Sequence, residues 1–168
     1  MRILALDLGT KTGWALLDAP DRRGPGKVSS GTWKLMTADE VTVMRKAGKD
    51  RCCDPRASRL LEHIKFHEPL DEIWFEDVQF SKTQLQAQLW GTLRGVVWLF
   101  NGPKCKLHCI PTGTLKKLAT GNGASKKDGM KLALTGTIEP GILSKMDDNE
   151  VDAYHLLCQA RLSHMNES

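Results

Sequence analysis

Residues 1–16, "MRILALDLGTKTGWAL", decide the fold. An apolar run from Ile3 to Leu6 ends on one carboxylate, Asp7, and Gly-Thr-Lys-Thr-Gly follows at once. A short apolar run bounded by glycine reads as a buried strand over 2–7. "GWALLD" at 13–18 reads as a second strand, joined to the first through the turn "GTKT". An acid at the tip of a buried strand is costly unless something pairs with it. Taken alone, the stretch allows three answers: a metal ligand, a phosphate-binding turn, or a plain hairpin.

Working outward, "APDRRGPGK" at 19–27 holds two Pro and two Gly and reads as a loop. A third strand, 28–35, follows, and three consecutive strands suggest an antiparallel meander. "EIWFEDV" at 72–78 reads as a central fourth strand, and "CKLHCI" at 105–110 as a fifth, ended by Pro111. Residues 39–67 are expected to be mainly helical, interrupted over the basic stretch 45–59 by Gly48 and Pro55. A helix is expected from about Lys82 to Phe100, where Leu85, Leu89, Leu93, Val96, Val97 and Phe100 recur at helical spacing. "GTLKKLA" is a short helix. Ser125, in the loop "TGNGASKKDG", is placed to cap the next one. The last helix is expected over about 147–164. The order predicts one α/β domain over 1–168, a mixed five-stranded sheet with helices.

The bulk numbers agree. The chain has 168 residues, 40% hydrophobic and 26% charged, with a net charge of +4. That suits a soluble domain and permits a nucleic-acid partner without requiring one. No apolar run approaches the ~18 residues of a membrane span. The N-terminus lacks the apolar core of a signal peptide, so a cytoplasmic location is expected. Five cysteines, Cys52, Cys53, Cys105, Cys109 and Cys158, are an odd count and argue for free thiols.

The acids carry the chemistry. Glu76 lies inside the apolar "IWFED", beside Asp77. "DDNEVDAYHLL" opens the last helix with Asp147, Asp148, Glu150 and Asp152. Residues three or four apart share a helix face, so Asp148, Asn149 and Asp152 can point one way. If strands one and four are neighbours, Asp7 and Glu76 come together and the last helix delivers Asp152. Carboxylates packed together repel and protonate unless a cation sits between them. An all-oxygen set suits Mg²⁺ or Mn²⁺. Two such ions about 4 Å apart serve phosphodiester cleavage. The competing reading is structural: acids in a first helical turn suit the helix dipole, and Asp7 closes a turn. Glu76 is the hardest to explain that way, because an ionised Glu within an apolar strand needs a partner.

Lys116, Lys117, Lys126, Lys127 and Lys131 surround a Gly-rich loop. Ammonium groups and glycine amides suit phosphate backbones, whereas alone they read as a solvated face. Cys105, His108 and Cys109, with His63 and His67, offer a rival zinc site, but on a strand His108 faces away from both thiols.

"ILALDLGTKTGWAL", the acid in "IWFEDV", "GTLRGVV", "IPTGTLKKLATGNGASKKD" and "NEVDAYHLL" together resemble, in order, the motifs of RuvC-type Holliday junction resolvases. The run from Pro111 to Lys126 is the most specific piece. The resemblance departs at 18–34 and 45–59, as in phage or prophage members. It implies a ribonuclease H-like fold with three antiparallel strands followed by parallel ones. It implies a homodimeric, Mg²⁺-dependent endonuclease that nicks branched DNA symmetrically, leaving 5′-phosphate and 3′-hydroxyl ends. It maps metal ligands onto Asp7, Glu76 and Asp152. A fourth family acid falls on Asn149, with Asp148 or Glu150 as substitutes. It puts Lys116 and a lysine of the 126–127 pair near the scissile phosphate. Phe80 is the nearest match to a junction-wedging aromatic, with Lys82 beside it. It also places the helix bearing Trp90 and Trp98 at a dimer interface. The first motif resembles YqgF-type RNA-processing nucleases as well. Asn149 leaves room for a silent DNA-binding protein. "D-x-G-T-x-x-G" also occurs in actin-like kinases, which need two such lobes.

Overall fold

The computed structural model describes residues 1–20, 26–48, 53–78 and 83–166. The strands are β1 (Arg2–Asp7), β2 (Lys11–Asp18), β3 (Lys27–Lys34), β4 (Glu72–Asp77) and β5 (Lys106–Pro111). The helices are α1 (Ala38–Lys46), α2 (Pro55–Phe66), α3 (Gln84–Trp98), α4 (Thr112–Thr120), α5 (Lys127–Ala133), α6 (Pro140–Leu143) and α7 (Asp148–Asn166). The sheet order is β3-β2-β1-β4-β5. β1, β2 and β3 pair antiparallel. β4 and β5 add on parallel to β1. This is the expected mixed sheet.

Period-two alternation divides the strands between two apolar layers. Ile3, Ala5, Ala15, Leu17 and Trp74 pack with Val151, Ala153, Leu156 and Leu157 of α7. Leu4, Leu6, Leu16, Ile73 and Phe75 pack with Leu60 and Ile64 of α2 and Leu93 and Val97 of α3. The same alternation sorts the acids. Asp7 follows Ile3 and Ala5 toward α7, and Glu76 follows Trp74. Asp77 falls on the opposite face, where Arg94 of α3 donates to its carboxylate at 2.6 Å.

Several local expectations need correction. Residues 55–59 belong to α2 rather than to an interruption. Pro55 stands in the first turn, where its missing N–H costs nothing, and Asp54 caps the helix. Ser125 does not cap α5. Lys126 occupies that position without a side-chain cap, and the Ser125 hydroxyl lies against Gly129 instead. The short helix α6 has no periodicity to reveal it. β5 begins at Lys106, so Cys105 stands just outside the strand. His63 and His67 are spent on aromatic packing, with the His63 ring stacked on Trp33 at 4.6 Å. Among the described residues no three His, Cys, Asp or Glu side chains form a ready metal cluster. Cys53, Cys105, Cys109 and Cys158 are free thiols. No described helix is long and apolar enough to cross a membrane.

The start of α7 is held by the sheet edge. Thr32 donates to Asp147 at 2.7 Å, Ser30 donates to Glu150 at 2.7 Å, and Asp147 accepts from the Glu150 amide at 3.0 Å. The far end is held by buried Glu72, with His164 Nε2 3.0 Å from its carboxylate and the Trp74 indole donating to it at 2.8 Å. Between them, β2 makes room with Gly13. A Cβ there would stand 1.9 Å from the Asn149 carbonyl oxygen. The Gly13→Ala variant is therefore expected to lose about 2–3 kcal/mol of stability, the upper range for overpacking against rigid backbone. Urea unfolding monitored by tryptophan fluorescence checks this.

Candidate active site

Asp7 ends β1, and Glu76 lies one residue from the end of β4. The strands are parallel neighbours in the register Leu6 to Phe75, so the two acids are adjacent. The Asp7 and Glu76 carboxylates are close enough that Glu76 helps to hold the Asp7 carboxyl above its usual range, after burial. Asp152, in the second turn of α7, faces the same cleft, although the three carboxylates as placed do not form a ready metal cluster. Asp7, Glu76, Asn149 and Asp152 line one broad open cleft of about 1510 Å³, together with Lys117 and Trp90.

The electrostatics of the cleft follow from this crowding. Asp7 keeps a surface on the cleft while packed atoms surround it. Burial pushes its carboxyl well above the usual range, and the charges of Glu76 and Asp152 push it further. Burial, then Glu76, raises Asp152 from 3.8 to about 6, against the pull of Lys116 and Lys127. Neighbouring carboxylates raised together are the signature of a charge deficit that a cation fills. The donors are all hard oxygens, so a divalent ion of the Mg²⁺ class fits them.

The other candidates divide. Lys117 lines the cleft, and Lys116 and Lys127 are close enough to depress Asp152. Lys126 is exposed at the start of α5. Lys131 is turned away, donating to the carbonyls of Met146 and Ser144 at 2.9 and 3.3 Å, where it ties α5 to the entry of α7. Asp148 pairs with Lys127 instead of joining Asp7 and Glu76. Glu150 is held by Ser30 on the other side. Of the positions offered for a fourth ligand, Asn149 is the one that lines the cleft. Phe80 and Lys82 lie outside the described residues.

Sequence reasoning did not bring Thr10, Lys11 or Trp90 to the acids, yet all three line the cleft. The first two were visible as the polar centre of the turn after Asp7. Trp90 was read instead on a helix that the resemblance puts at a dimer interface. The first turn of α4, Thr112–Thr114, completes the wall, and no side chain caps its amides.

No family model matches the chain. A curated relative, the crossover junction endodeoxyribonuclease RuvC of Wolbachia sp. subsp. Brugia malayi (strain TRS), is 29% identical over 129 residues. The match spans 76% of this chain and 74% of the relative. Among solved structures, Thermus thermophilus RuvC in complex with Holliday junction substrate superposes with a TM-score of 0.65 at 17% identity, covering 98% of this chain and 96% of that one. The chain shares the RuvC fold. The yeast mitochondrial Holliday junction resolvase Ydc2 shares the fold more distantly, with a TM-score of 0.56 at 13% identity over 96% of this chain and 80% of that one. The RuvC-like fold of this chain is thus the ribonuclease H-like arrangement expected from its motifs.

The raised carboxyls give a pH prediction. A carboxyl whose folded pKa exceeds its unfolded one stabilises the fold below the unfolded value. That contribution is lost as pH rises through the folded pKa. For Asp152 the window runs from 3.8 to about 6. Without divalent ions, the wild-type melting temperature should therefore fall relative to Asp152→Asn from about pH 4 to about pH 7. Added Mg²⁺ should recover it in wild type only. Thermal melts across pH, with and without the ion, measure both effects.

Proposed function

We propose that this chain is a structure-selective endonuclease that resolves four-way and related branched DNA, acting in recombination and repair through one nuclease domain. The observation that carries the reading is the convergence of Asp7, Glu76 and Asp152 in a cleft rimmed by lysines. The similarity to a crossover junction endodeoxyribonuclease supports it.

In this reading Asp7, Glu76 and Asp152, with Asn149 as a neutral oxygen donor, hold Mg²⁺ or Mn²⁺, two ions per site. Bound there, the cation supplies the charge that activates a water and steadies the leaving 3′ oxygen. The rest is the work of the chain. Glu76 and Asp152 both act on Asp7, so Asp7 would hold the cation together with them. Lys116, Lys117 and Lys127 offset phosphate charge on the α4–α5 side of the cleft, with Lys126 further out along the backbone path. Lys127 gives up Asp148 to do so.

Symmetric nicking of two strands asks for two active sites, hence a homodimer. The bare face of α3 supports this: Leu85, Trp98 and Leu99 are exposed, and nothing lies within 4 Å of a Cβ built at Gly91 or Gly95.

The decisive experiment offers purified protein four-way, three-way, flap and linear DNA, and structured RNA, with Mg²⁺. Paired nicks in the four-way junction with 5′-phosphate ends are expected. Asp7→Asn and Glu76→Gln should each slow cutting on the order of a thousandfold, the scale of losing one main electrostatic stabiliser. Preferential RNA cleavage would move the chain to the RNA-processing reading. Full cutting by Asp7→Asn would end the scheme.

A further inference from the structure

The turn that follows Asp7 is closed twice over without the Thr10 side chain. Thr12 Oγ1 donates to the Gly9 carbonyl at 2.8 Å and accepts the Gly9 amide at 3.3 Å. The Leu35 amide donates to the Thr10 carbonyl at 2.9 Å. Yet the Thr10 hydroxyl has a dedicated partner. Arg56, from the first turn of α2 and only 9% exposed, donates from Nη1 to Thr10 Oγ1 at 3.0 Å. The guanidinium is itself seated. Its Nε and Nη2 grip the Asp54 carboxylate at 2.9 and 2.6 Å.

A buried arginine whose charge is matched on one edge and whose other edge meets one hydroxyl is a device for fixing that hydroxyl. A threonine oxygen that accepts from arginine has a single O–H left to give. Thr10 lines the cleft beside Asp7, so the polarised O–H is available to the acceptor that the cleft is built for. Lys11, the next residue, brings an ammonium to the same rim.

We infer that Thr10 binds a non-bridging oxygen of a substrate phosphate beside the acidic centre, and that Arg56, seated by Asp54, is the positioning residue that aims it. The inference rests on the phosphodiester reading above.

The test uses the full chain, a fluorescent four-way junction, and two readouts. Binding is followed by anisotropy in Ca²⁺ and cleavage in Mg²⁺. Thr10→Val keeps the shape and removes the hydroxyl. It should weaken junction affinity and kcat/KM by about tenfold, the scale of one hydrogen bond to a charged group. Thr10→Ser should stay within about twofold of wild type. Arg56→Lys cannot both fork to Asp54 and reach Thr10, so it should match Thr10→Val. The double variant should fall no further, because the two residues act as one unit. A junction carrying a neutral methylphosphonate at successive positions around the nick supplies the specific readout. At one position wild type should lose its advantage over Thr10→Val. Thr10→Val behaving as wild type, or losing the same factor on every methylphosphonate junction, would overturn the inference. If the unmodified protein cuts no nucleic acid, the nuclease reading fails, while the binding comparison still decides the role of Thr10.

Discussion

Two parallel strands lie side by side and each carries an acid toward the same helix at the same end. That juxtaposition of Asp7 and Glu76 is the constraint to which the rest of the molecule answers. Sheet geometry fixes neighbouring residues about 5 Å apart, so the two acidic side chains leave the backbone side by side. Alternation decides which acids are involved. Glu76 faces α7, while Asp77, its neighbour in sequence, faces α3 and is neutralised by Arg94. Two consecutive acids thus take unrelated roles because the pleat points them apart.

The third acid depends on helix docking. Asp152 faces the same cleft as the pair because Gly13 lets the backbone of Asn149 rest directly on β2, and because Ser30 and Thr32 hold the first turn of α7. Burial first, and then repulsion from neighbouring acids, raises the carboxyls of Asp7 and Asp152, and Lys116 and Lys127 offset only part of the rise at Asp152. Burying charge against charge is unfavourable for a fold taken alone. A site with that cost is intelligible as a cation seat whose occupant supplies the missing attraction. The cleft, about 1510 Å³ and lined by Lys11 and Lys117 beside the acids, suits a bulky polyanion better than a small metabolite.

Much of this was legible in the residues. Asp7 and Glu76 stand out because apolar strands rarely contain an acid, and Asp152 follows from helical spacing within "DDNEVDAY". The limits are equally physical. Spacing says which residues share a helix face but not which partner claims each one. Asp148 goes to Lys127 and Lys131 goes to backbone carbonyls, choices made by tertiary neighbours. Pro55 was read as a breaker, although at a helix start it is compatible with continuation. Arg56 was invisible as anything but one charge in a basic run. Its partner Thr10 is 46 residues away, and pairing at that range leaves no periodic trace.

The central claim is that the three carboxylates bind one cationic centre together. Titrating Mn²⁺ into protein with 13C-labelled Asp and Glu carboxyl carbons tests it directly, because the paramagnetic ion broadens the carbons it touches. The resonances of Asp7, Glu76 and Asp152 should vanish together at low Mn²⁺, ahead of Asp77 and Asp148, and Asp7→Asn should abolish the early broadening of the other two. Broadening of Asp7, Glu76 and Asp152 at separate Mn²⁺ concentrations, or none before the surface acids, would contradict the account.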